Sequence, residues 1–138
     1  MLRRERYFFV CRADHPLAGK RSLSLAQLAG QEMIQLARSS SVRQHLEGLP
    51  DIKGLRSSSL EVEHLATLAG LVAQGLGVTV VPELTLFHFE REGLKACPLR
   101  DAQLRRPIVL ARRKGKALSV AAQAMVEQIV EQARPSAG

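Results

Sequence analysis

The 138-residue chain has no tryptophan, one tyrosine and four phenylalanines. Single-stranded nucleic acid is held by stacking bases on aromatic rings, so the sequence lacks the means for such a platform despite a net charge of +7. It has only two cysteines, Cys11 and Cys97, far apart and not at metal-ligand spacing from any Cys or His. Two free thiols in a reducing cytosol are the simplest account. No apolar run approaches the roughly 20 residues needed to cross a bilayer. The apolar stretch near the N-terminus ends at Arg12 and Asp14 and is too short for a signal-peptide core.

Catalytic patterns are missing as well. None of His15, His45, His64 and His88 sits in an H-E-x-x-H pair. The run Ser39-Ser40-Ser41 lacks the G-x-S-x-G elbow. Glu61, Glu63 and His64 lie close together, but acidic residues at a helix start are favourable partners of its dipole. With no nucleophile, base and orienting group in view, the expectation is no enzyme, no cofactor and no metal.

What is present is an ordinary globular composition, 46% hydrophobic and 24% charged, at a length that suits one domain. The 20 Lys and Arg residues outnumber 13 Asp and Glu. They cluster only at Arg3, Arg4 and Arg6 and at Arg105, Arg106, Arg112, Arg113, Lys114 and Lys116, which reads as a solvated basic surface.

Short apolar strands alternate with helical patterns. Residues 7–13, 32–36, 54–60, 78–81, 94–99 and 107–112 read as strands. Residues 22–29 form a short helix capped by Ser22 or Ser24, and serines at 39–41 open another that stops at Gly48 and Pro50. Residues 61–74 form the clearest amphipathic helix, with Val62, Leu65, Ala69 and Val72 on one face. In "LVAQGLGVTVVP" the glycines close this helix before a β-branched strand, the reverse of a phosphate-binding loop. Gly75 is its αL terminator, and Pro82-Glu83 opens a further short helix. Residues 118–132 form a last helix with a stripe of Leu118, Ala122, Met125 and Ile129. Such alternation implies an α/β sheet covered on both faces.

Three segments carry a family resemblance. "RADHPLAGKRSLSLAQLAGQEMI", "ATLAGLVAQGLGVTVVP" and "RRPIVLARRKGKALSVAAQAMVEQIVEQ" occur in the order and spacing of LysR-type transcriptional regulators. The chain resembles part of their effector-binding domain, without the DNA-binding domain or the first half of effector subdomain I. The resemblance implies a periplasmic-binding-protein-like (type II) α/β lobe with a mixed, doubly wound sheet. It implies subdomain II at residues 13–106, two antiparallel crossover strands at 7–12 and 107–112, and the C-terminal helix of subdomain I at 113–138. Residues 8–12 should then lie beside residues 108–112.

The implied function is ligand sensing. A small-molecule inducer, such as an organic acid, changes how lobes and subunits pack, in a cytoplasmic homo-oligomer, most simply a dimer, with no membrane partner. DNA would be bound through a domain absent from this chain, so no sequence-specific DNA binding by the chain itself is expected. The alternative is a stand-alone binding protein for organic anions with the same fold. The implied ligand residues come from two loops: Arg38, Ser39, Ser40, Ser41 and Arg43 after the second strand of the lobe, and His64 and Thr67 at the start of the long helix. Arg38 offers a bidentate partner for a carboxylate; the serines offer hydroxyl and backbone donors at a helix start.

Overall fold

A computed structural model describes residues 2–49 and 55–134. Pro50 and Gly54, named above as a helix stop and a strand start, lie outside the described residues, as do 135–138. The chain divides into two compact units, one of Arg6–Arg106 and one of Met1–Glu5 with Pro107–Gly138.

The larger unit is built on β2 (Tyr7–Arg12). Tyr7, Phe9 and Val10 are fully buried and Cys11 nearly so. A strand with such a run belongs in the middle of a sheet, covered on both faces. It pairs antiparallel with β5 (Thr79–Pro82) on one side and β6 (Leu94–Pro98) on the other. A second sheet pairs β3 (Glu32–Leu36) with β4 (Arg56–Val62) in parallel. The two sheets meet where Val78 bridges Met33. There Ile34 N donates to Val78 O at 2.9 Å, and Val78 N donates to Glu32 O at 2.9 Å. Helix α1 (Ser41–Glu47) follows β3, and α2 (Leu65–Ala73) follows β4. Short 3-10 turns at Leu25–Leu28, Glu83–Phe89 and Ala102–Leu104 complete the unit. The core joins Phe9, Ile34, Leu68, Val72 and Val80 from these elements.

The turn after α2 follows the glycine reading. Gly75 has φ +79°. Its N–H donates to Val72 O at 2.9 Å, and Leu76 N donates to Leu71 O at 3.2 Å. These are the two bonds of a Schellman motif, which needs a left-handed residue that glycine adopts without penalty.

The structure departs from expectation at three places. Helix α2 begins at Leu65, not Glu61, because Glu61 and Val62 complete β4 opposite Gln35 and Leu36. Residues 8–12 pair with β5 and β6, and among the described residues not with residues 108–112. Instead β1 (Arg3–Glu5) pairs with β7 (Arg106–Ile108) as a two-stranded ribbon. The apolar segment takes the buried central position, while the charged segments and Pro107 take a ribbon of two strands among the described residues, where a missing N–H is tolerated. The strand also ends at Ile108; Val109 and Leu110 are 61% and 41% exposed. In the smaller unit, α3 (Val120–Ala133) starts at a Ser119 cap whose Oγ accepts from Ala122 N at 3.1 Å. It buries none of its residues.

Candidate functional site

The parallel pairing of β3 and β4 decides where the two candidate loops emerge. Leu36 faces Val62 at the last step of the ladder, and Ala37 N donates to Val62 O at 2.9 Å. Both strands therefore end side by side, and the segments leading into α1 and α2 leave from the same end. In open α/β sheets the carboxyl ends of parallel strands are where ligands bind.

The first segment is a tight turn. Ser40 N donates to Ala37 O at 2.8 Å, and Gln44 Nε2 donates to Arg38 O at 3.1 Å. Arg38, Ser39 and Ser41 are exposed and Ser40 is half-buried. Ser40 occupies the N-cap of α1 but its hydroxyl makes no capping bond, so capping does not consume it. In the second segment His64 is the N-cap of α2, again without a side-chain bond, and His64 and Thr67 are exposed. The structure thus brings Arg38, Ser39, Ser40 and Ser41 to the same end of the sheet as His64 and Thr67.

Arg43 stands apart from this set. It is 8% exposed. Its Nε donates to Glu47 Oε1 at 2.8 Å, and its Nη1 donates to Glu61 Oε1 at 2.6 Å and to Leu36 O at 3.1 Å. The hydrogen bonds to Glu61 and Glu47 hold the guanidinium pKa above its usual value, against the cost of burial. The same contact holds Glu61 below the usual carboxylate value, with a smaller contribution from nearby Arg38. Arg43 fastens α1 to the ends of β3 and β4 rather than presenting a charge to solvent. The i to i+4 spacing to Glu47 was visible in the sequence; the partner on β4 was not.

Two further features escaped the sequence reading. A cavity of about 220 Å³ opens beneath α1, lined by Met33, Val42, Arg43, Leu46, Thr79 and Val80 among others. The one signal was a threonine within the apolar run of β5, whose Oγ1 donates to Ile34 O at 3.2 Å. At the opposite end of β3, Arg12 grips Asp14 through Nε and Nη2 at 3.1 and 2.9 Å, and His15 Nε2 meets Gln31 Oε1 at 3.0 Å. Among the described residues, no three His, Cys, Asp or Glu side chains gather to hold a metal, and no helix is long and apolar enough to cross a membrane.

The sequence matches the LysR substrate binding domain over residues 1–134. The chain belongs to that family. Among curated relatives of this LysR-family chain, the HTH-type transcriptional regulator YbhD of Escherichia coli is 37% identical over 120 residues, which is 86% of this chain and 38% of YbhD. The CcmR regulatory domain of Synechocystis, solved in complex with 2-PG, superposes with a TM-score of 0.80 at 23% identity, covering 95% of this chain and 64% of that one. The reduced form of OxyR superposes at 0.78 with 27% identity, covering 95% of this chain and 62% of that one. The periplasmic-binding-protein-like α/β fold is that of these LysR effector domains, and the curated relative is a transcriptional regulator rather than an enzyme. The LysR-family chain spans less than two thirds of each.

Proposed function

We propose that this chain supplies one wall of the inducer site of a cytoplasmic LysR-type transcription regulator, and that the inducer is a small organic anion. The unit Arg6–Arg106 is the second lobe of the effector domain, and the C-terminal helix belongs to the first. Regulation follows from differential binding: a ligand that prefers one packing of lobes and subunits shifts the population toward it. The regulator acts as a homo-oligomer and reaches DNA through another domain.

The observation that carries this reading is the shared end of β3 and β4. It sets a guanidinium with no ion pair among the described residues, Arg38, at the same end of the sheet as three serines, His64 and Thr67. Hydroxyls and a forked cation suit a carboxylate or phosphate oxygen. The CcmR domain, which shares the fold, was solved in complex with 2-PG. Arg43 serves as the brace of this wall and is not an inducer contact at the strand-end loops.

The test is calorimetric titration of the chain with a panel of small carboxylates and phosphate monoesters. At least one should bind, and Arg38→Ala should weaken it tenfold or more, equivalent to about 1.4 kcal/mol. Ser41→Ala and Thr67→Ala should each weaken it by a smaller factor. Binding that is unchanged in Arg38→Ala would remove this wall from the site.

A further inference from the structure

We propose that the cavity beneath α1 is a second small-molecule site, separate from the strand-end loops, and that it accepts a small uncharged carbonyl compound, best a primary amide on an apolar body. Protein interiors are packed with few voids larger than a water molecule. The cavity beneath α1 is partly open to solvent and measures about 220 Å³, more than the enclosed apolar cavity of about 150 Å³ that takes benzene. Met33, Leu36, Val42, Leu46, Leu55 and Val80 give it apolar walls.

Its polar groups set the chemistry. Arg43 lines the cavity and is 8% exposed. A guanidinium has five N–H donors, and here the bonds run from Nε and Nη1 alone. The two hydrogens of Nη2 have no acceptor among the described residues. Nη2 is not among the side-chain atoms sealed from solvent without a partner, so its hydrogens are open to water, and a ligand oxygen in the cavity would take that water's place. That oxygen should be uncharged. Arg43 already faces two carboxylates, Glu47 and Glu61, so a third would add like-charge repulsion around a single cation. A carbonyl accepts without that penalty. Glu47 also lines the cavity, and a carboxylate only accepts, so a ligand N–H beside the carbonyl would find a partner there. The strand-end loops, with Arg38 exposed, favour the opposite ligand charge. The two sites are therefore distinguishable by charge alone.

Benzamide and benzoate have nearly the same shape and differ in charge, which makes them the probes. The chain has three methionines, so labelling their methyl groups with carbon-13 gives few and assignable signals. Met33 lines the cavity, and Met125 on α3 is 61% exposed and serves as control. Benzamide should shift the Met33 methyl saturably and leave Met125 unmoved; benzoate should need at least tenfold higher concentration. Arg38→Ala should leave the benzamide response unchanged, and Leu46→Phe, which fills the cavity, should abolish it. If Leu46→Phe does not fold, a nuclear Overhauser contact between the benzamide ring and the Met33 methyl of the unaltered chain decides the matter. A Met33 methyl that stays still up to the solubility of benzamide, an equal response in folded Leu46→Phe, or benzoate binding as tightly as benzamide would each overturn the proposal.

Discussion

Gly75 and Gly77 stand two residues apart and serve different needs. Gly75 supplies a left-handed turn residue. Gly77 allows two strands to approach: a Cβ there would sit 2.9 Å from Glu32 O and 2.9 Å from Ile34 Cγ1. Glu32 O cannot withdraw freely, because it accepts the bond from Val78 N that joins the two sheets. Gly77→Ala should therefore destabilise the fold by about 1–3 kcal/mol, the range for overpacking a core. Gly70 is the internal control. It lies inside α2 with nothing within 4 Å of its missing Cβ, so Gly70→Ala should be neutral or stabilising by up to about 1 kcal/mol. Urea denaturation of the two variants checks the contrast, and equal effects would refute the close-approach argument. The two glycines were legible in sequence as structural residues. The neighbour that Gly77 accommodates was not, because β3 lies some forty positions earlier in the chain. The cysteines likewise read correctly as free thiols. What the sequence could not tell is that both are buried, and that burial, helped by nearby Cys97, pushes the Cys11 thiol up to about 11.

At the scale of elements, most of the alternation of strand and helix could be read from periodicity and punctuation. The errors fall where two patterns overlap. Val62 fits the apolar stripe of α2 by spacing, yet it closes the β4 ladder against Leu36. Pairing is non-local, and no window of local sequence reports it. The same holds for Arg43, which the resemblance placed among ligand residues. Its bond to Glu61 joins two elements whose proximity depends on the parallel pairing of β3 with β4. That joint has a testable pH dependence. Glu61 titrates below its ordinary value of 4.5 in the folded chain. Between the folded and unfolded values the unfolded chain binds more protons, so falling pH favours unfolding. The contribution is thus complete above the ordinary value and is lost as pH falls through the lower, folded one. The difference in urea midpoint between the unaltered chain and Glu61→Gln should be steady near neutral pH and shrink below about 4.5. It should also fall with added salt, since the Glu61 side chain is 49% exposed. A difference independent of pH would mean that the ion pair adds nothing beyond the hydrogen bond that glutamine preserves.

At the scale of the whole molecule, the apolar stripe of α3 is not fully buried among the described residues. Met125 is 61% exposed and Leu118, Ala122 and Ile129 are only half-buried, while Val120 and Val130, off the stripe, are 90% and 38% exposed. The stripe itself was legible from its spacing of three and four residues. What lies against it was not, because amphipathicity reports that a face must be covered without naming the cover. Burying one large apolar side chain is worth roughly 1.5–3 kcal/mol, so several such residues on one helix favour association. A two-fold arrangement lets the same patch serve both copies. The chain should accordingly sediment as a dimer, with slow hydrogen exchange along residues 120–133 at concentrations where the dimer forms. Met125→Glu should shift it toward monomer and speed exchange in that helix. The core of Arg6–Arg106 should keep its protection in the same variant, because α3 contributes none of its buried residues. A monomer with rapid exchange along α3 in the unaltered chain would show that a second copy does not cover the stripe. That result would transfer the covering role to the part of a LysR-type regulator that this chain, at 38% of the length of YbhD, does not span.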